Sequence, residues 1–116
     1  MKGCLMRRSI VLFFVVALFS VSSLYGAAYK GQRVYAKNCL SCHGGEAFIQ
    51  SKTKKGWSDA LKGKGKHLAE LHLKNQKAEA SWEYFGSAKY TKKLKHLKDF
   101  FNEYAKDGGK VPVFSN

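Results

Sequence analysis

Tyr35-Ala36-Lys37-Asn38-Cys39-Leu40-Ser41-Cys42-His43-Gly44-Gly45 is the stretch on which the reading of this chain turns. Two thiols are separated by two residues, and an imidazole follows the second thiol directly. On a helical turn the two sulfurs lie along one side, where they can add across two vinyl groups on one edge of a porphyrin. His43 then sits under the ring as an axial ligand to its iron. This is the attachment signature of c-type haem, with Cys39 and Cys42 as the thioether residues. Two plainer readings compete. A thioredoxin-type CxxC opens a helix after a strand in a βαβ pattern, and no strand signal precedes this one. A zinc site needs more thiols or a spaced pair of histidines.

Outward from the motif, the pattern is helical. Residues 29–40 form a first expected helix, with Val34 and Tyr35 apolar and Gly31 one turn before Tyr35 on the same face. Gly44-Gly45 ends the motif helix. Residues 46–56 read as a polar, lysine-rich connection. Residues 57–75 read as a second helical stretch capped by Ser58. Its middle is weakened by Gly63 and Gly65 at about 1 kcal/mol each, enough to divide it into two pieces. A loop at 76–81 and one helical turn at 81–85 follow. Residues 88–106 make the clearest helix, where Leu94, Leu97, Phe101 and Tyr104 form an apolar stripe. Gly108-Gly109 ends it, and Val111-Pro112-Val113-Phe114 is an extended tail. No segment alternates, so the expected class is all-α.

The start of the chain has its own logic. Lys2, Arg7 and Arg8 precede an apolar run from Ile10 to Val21, and small residues follow at Ser22, Ser23, Gly26, Ala27 and Ala28. That is the layout of a secretory signal peptide. The expected division is therefore an export segment at 1–26 and a single domain at 27–116. The alternative is an uncleaved anchor, because the uncharged stretch from Ser9 to Tyr29 approaches the ~20 residues that span a bilayer. Cys4 stands too close to the start to be a lipidated cysteine after an apolar run. Either way the remainder is exported, which implies a periplasmic location.

A domain of this size has a thin core and benefits from a staple. A covalent cofactor serves better than one vicinal cysteine pair. Of the 21 basic residues, 18 remain after Lys2, Arg7 and Arg8 are removed, against 8 acidic ones, a net +10. Arg33 is then the only arginine. Nucleic-acid readers favour arginine forks, so nucleic acid is not an expected partner. The charge points instead to an acidic protein partner, or to anionic lipid.

These residues together resemble the class I, or mitochondrial-type, cytochrome c family. The CxxCH motif carries the resemblance most specifically. Gly31-Gln32-Arg33-Val34-Tyr35 is similar to the family's N-terminal helix motif of glycine followed by an aromatic. Leu97, Phe101 and Tyr104 are similar to its C-terminal helix. The resemblance implies a small bundle of about three to four helices wrapped around one covalent haem, with the terminal helices crossing at the glycine. It also implies a bacterial periplasmic electron carrier rather than an enzyme.

The chain departs from the family at the second axial ligand. Class I members commonly use a methionine, but the only methionines here are Met1 and Met6. The other candidates are His72, His67 and His96. His72 is the first choice, because it follows Leu68 by four residues and Leu61 by eleven, on one apolar face. His67 is the runner-up, in a more solvated setting, and His96 belongs to the lysine-rich side of the last helix. His/His ligation favours electron transfer. Five-coordinate iron would instead bind NO, CO or peroxide. A haem subunit of a larger oxidoreductase is a further alternative. Trp57, Trp82, Tyr84 and Phe85 either wall the cofactor or pack in the core. The family's proline after the motif is missing, so the His43 ring needs some other group to orient it.

Overall fold

A computed structural model describes residues 26–114. The expected export segment lies outside the described residues, apart from Gly26. Among those described, all regular structure is helical. Helix α1 covers 26–38 and, past Cys39, runs on into α2 (Leu40–His43). Then come α3 (Glu46–Ile49), α4 (Lys54–Ala60), α5 (Lys66–Leu73), a 3-10 helix (Gln76–Ser81), α6 (Trp82–Phe85) and α7 (Ala88–Tyr104). No described helix is long and apolar enough to cross a membrane.

The core forms where α1, α4 and α7 meet. A Cβ built on Gly31 would lie 1.9 Å from the His96 carbonyl oxygen and 2.5 Å from the Phe100 Cβ, so only glycine lets α1 approach α7 this closely. One turn further on, Tyr35 is wholly buried against Phe100 and Phe101, with ring centres at 5.4 and 5.8 Å. Helix α7 buries Tyr90, Leu94, Leu97, Phe100 and Phe101. Tyr104, expected in that stripe, is only half-buried, while Phe100 takes the central place facing Gly31. From α4, Trp57 stacks on Phe101 at 4.0 Å, and its indole N–H donates to the Ile49 carbonyl at 2.8 Å. Each such apolar side chain contributes roughly 1.5–3 kcal/mol by leaving water. The tail returns over this core. Phe114 lies 5.7 Å from Tyr35, and the Gln32 side-chain amide donates to the Val113 carbonyl at 2.5 Å.

The helices are more numerous and shorter than expected, and each difference has a local cause. The connection at 46–56 contains α3 and the start of α4, because Phe48 and Ile49 turn inward under Trp57. The cap of α4 is Thr53, whose hydroxyl accepts from the Gly56 N–H at 3.1 Å, and not Ser58. The stretch at 57–75 divides at Gly63, Lys64 and Gly65, with φ of 64°, 57° and 73°. Three successive left-handed residues end one helix and start another in a new phase, and two glycines make that inexpensive. The Tyr90 hydroxyl donates to the Gly65 carbonyl at 2.5 Å and secures the turn to α7. The expected loop at 76–81 is a 3-10 helix, opened by the Asn75 side-chain oxygen accepting from the Lys77 N–H at 3.0 Å.

Candidate functional site

The motif continues the path of α1. The Cys39 N–H donates to the Tyr35 carbonyl at 2.8 Å, and the His43 N–H donates to the Cys39 carbonyl at 3.0 Å. Helical hydrogen bonding thus runs through the CxxCH segment, as the motif's spacing requires. Cys39 is half-buried, whereas Cys42 and His43 are exposed. Burial, aided by the neighbouring Cys42, pushes the Cys39 thiol up to about 12. A redox CxxC does the reverse, placing its attacking thiol at a helix N-terminus where its pKa falls.

The His43 ring stacks on Phe48 with centres 4.2 Å apart and planes 19° from parallel. Among the described residues no acceptor engages this ring. An aromatic face, not a carbonyl, holds it. Phe48 escaped the sequence reading because it falls in a stretch dominated by polar residues. Burial and the neighbouring His72 lower the His43 pKa below the usual imidazole range.

His72 arrives from α5. Its ring centre lies 5.9 Å from that of His43, with the planes 80° apart. His72 Nδ1 is 2.8 Å from the Leu68 carbonyl oxygen. A carbonyl can only accept, so Nδ1 carries a proton, and in the neutral ring Nε2 keeps its lone pair. The ring stacks on Phe85 at 4.1 Å, and the Trp82 indole N–H donates to the His72 carbonyl at 2.7 Å. His72 is thus fixed in rotamer, tautomer and height along the helix. His67 is exposed on α5 and makes no ring contact with His43 among the described residues. His96 sits at the contact of α1 with α7, with a buried Nδ1 that has no partner.

The apolar face expected for His72 is only partly present. Leu61 is buried in the core, Leu68 is half-buried, and Leu71 and Leu73 are 56% and 42% exposed. The left-handed break at 63–65 separates Leu61 from the phase of α5, so spacing counted across it loses its meaning. Of the four aromatic candidates, Trp57 is a core residue, while Trp82 and Phe85 touch His72. Tyr84 packs on Phe85 and Tyr90, and its buried hydroxyl has no hydrogen-bond partner among the described residues. Burial, followed by the nearby Cys39, raises the Tyr84 pKa.

These features test two cofactors. No three of His, Cys, Asp and Glu converge among the described residues as a metal ion would require, so a closed four-ligand zinc site is not built. An iron porphyrin asks for less from the side chains. Two imidazoles on opposite sides of one metal ion, each about 2 Å from it, place their ring centres roughly 6 Å apart. The pair of His43 and His72 matches that spacing. Exposed leucines beside His72 and an unsatisfied buried phenol suit a large apolar group with polar edges. No family model, curated protein or solved structure matches the chain.

Proposed function

We propose that this protein is an exported single-haem c-type cytochrome carrying electrons between redox proteins, with a bundle of the cytochrome c kind around the cofactor. Cys39 and Cys42 would hold haem c as thioethers, His43 would be its proximal ligand and His72 its distal one. The observation that carries the reading is the approach of His72 to within 5.9 Å of His43, ring centre to ring centre, with Nε2 free. Bound haem would supply a one-electron centre, at a lower potential with two imidazoles than with an imidazole and a thioether.

The protein's own contribution is positional. Phe48 and Phe85 hold the two imidazoles by their faces, and the Leu68 carbonyl sets the tautomer of one. Trp82 anchors the end of α5, so that His72 stays at one height. The Tyr84 hydroxyl is available to a polar group brought by the cofactor; left unmatched, a buried hydroxyl costs about 1–3 kcal/mol.

Mass spectrometry of the exported protein tests the attachment. The expected mass includes one haem, and both thiols resist alkylation. A bare polypeptide mass with two free thiols would end the reading. Electronic spectra test the distal ligand. The native protein is expected to be low-spin and indifferent to CO, while His72→Ala turns high-spin and binds CO. Unchanged low-spin iron in that variant would remove His72 from the ligand set.

A second reading has one observation in its favour. Helix α5 has no buried residue and is bounded by the left-handed turn at 63–65. A ligand carried on so lightly packed a helix can be displaced, which would make this a haem protein that binds NO, CO or peroxide. A native spectrum that shifts under CO would favour it.

A further inference from the structure

The basic charge is not spread evenly, and it avoids the elements that carry His72. Residues 66–85, spanning α5 to α6, hold three lysines (66, 74 and 77) and three glutamates (70, 79 and 83). Residues 52–64 hold five lysines against Asp59 alone, and α7 holds five lysines against Asp99 and Glu103. These two strongly basic segments pack on each other through Trp57, Leu61, Leu97 and Phe101. Where they meet, a cavity of about 250 Å³ opens at the surface, its lining including Lys54, Trp57, Leu61, Lys98, Asp99 and Asn102. Lys52 lies over the indole, its Nζ 5.9 Å from the ring centre. Asp59 is engaged by Lys55 and Lys62, and Asp107 accepts from the Lys54 N–H at 2.8 Å; Lys54 and Lys98 are the cations that line the cavity, beside Asp99.

A line of aromatic contacts starts behind the same cavity. Trp57 meets Phe48 edge-on at 5.5 Å, and Phe48 stacks on His43 at 4.2 Å. Three rings in van der Waals succession therefore join the motif histidine to the cavity on the face formed by α4 and α7.

We propose that this face, centred on Trp57 between Lys54 and Lys98, is the docking surface for an acidic redox protein, with Phe48 and Trp57 as the contact path from it to His43. The occupant is a protein presenting carboxylates, because the two segments that build this face carry ten lysines against Asp59, Asp99 and Glu103. The electron path rests on the cytochrome reading; the docking surface does not. A one-electron donor bound there gives up one electron to the group held by His43, and no bond or proton changes hands. Electrostatic attraction thus acts on the α4–α7 face, and the neutral α5–α6 segment is left to hold the ligand.

The test uses the full exported protein, labelled with nitrogen-15, and two probes. Tris(oxalato)chromate(III), a paramagnetic trianion, is expected to broaden the Trp57 indole resonance and the amides of Lys54, Lys98 and Asn102 before those of α5 and α6. The double variant Lys54→Gln/Lys98→Gln should abolish that preference. It should also weaken binding of poly-L-glutamate roughly fivefold at low salt, as expected for two exposed charge pairs. Broadening centred on α5 and α6, or unaffected by the double variant, would overturn the docking surface. So would tight binding to phosphatidylglycerol vesicles, abolished by the same variant, with poly-L-glutamate bound no more weakly than before; that outcome would assign the face to a membrane. A second variant addresses the path. Phe48→Leu should leave poly-L-glutamate affinity unchanged but slow electron exchange with an acidic protein donor several-fold. An unchanged rate would remove the path and leave the surface standing. A mass without haem would instead strike the cytochrome reading, while the broadening pattern would still decide the surface.

Discussion

The α1–α4–α7 core and the α5–α6 arm are built on different principles. The core is held by aromatic packing. Tyr35, Leu61, Leu97, Phe100 and Phe101 are at most 3% exposed, and Trp57 is stacked among them. The arm has no buried residue in α5 and exposes Leu71 and Leu73. Its order comes from one buried ring, Phe85, with Leu68, Ala69 and Tyr84 packed partly against the core, and from a few directed contacts: the Tyr90 hydroxyl on Gly65, the Trp82 indole on His72, and the Phe85 face on the His72 ring. A region secured by area tolerates small changes of angle. A region secured by a few bonds fixes one imidazole in one pose, and it also opens more readily. In this chain a closely packed scaffold stands beside a lightly packed arm that carries His72.

Four changes would break or sharpen that contrast. The largest effect belongs to Phe101→Ala, which removes a core ring touching Tyr35, Trp57 and Phe100. Truncations of this kind cost about 3–5 kcal/mol, so the urea midpoint should fall steeply and all helices should melt together; a loss confined to one helix would contradict a shared core. Next comes Gly31→Ala. Its Cβ would lie 1.9 Å from the His96 carbonyl, and overpacking of that order costs about 1–3 kcal/mol. A thermal midpoint unchanged by this substitution would show that α1 does not pack on α7 at this glycine.

In the arm, Trp82→Phe keeps the ring but removes the donor to the His72 carbonyl, a change of about 1 kcal/mol. Amide exchange in α5 should quicken while exchange in α7 stays as it was; equal acceleration in both helices would deny the arm its independence. The smallest effect is that of pH at His96. Burial, followed by Lys95 and Lys30, holds its pKa below the ordinary imidazole value. The folded state therefore binds this proton less readily than the unfolded one. The stability it lends is complete above about pH 6.5 and is lost as the pH falls through the folded value. The urea midpoint should drop more between pH 7.5 and pH 5 in the native chain than in His96→Gln. Parallel declines would exclude His96 as the cause.

Much of the scaffold was legible from residue order. The all-helical class, the glycine one turn before Tyr35, the inward stripe of the last helix and the division of residues 57–75 at its glycines all follow from local periodicity and backbone freedom. The gaps share one origin. Tyr90 lies between Lys89 and Thr91, Phe48 and Ile49 open an otherwise polar stretch, and Phe100 falls beside the stripe of Leu97 and Phe101; their burial depends on what other segments bring to them. The spacing from Leu61 to His72 crosses a left-handed turn that resets helical phase, so the apolar face it implies is only partly present.

The sequence alone determined which chemistry was on offer. Two thiols and an adjacent imidazole on one helical turn can form a single-edged grip on a flat cofactor, because covalent spacing is a local property of the backbone. It also limited the distal candidates to His72, His67 and His96, since no methionine follows Met6. Only the tertiary structure decided that His72 meets His43 and that Phe48 stacks on the His43 ring. Those relations depend on the angle at which the chain leaves Gly65 and on how α4 and α7 close over Trp57, which short-range sequence pattern does not specify.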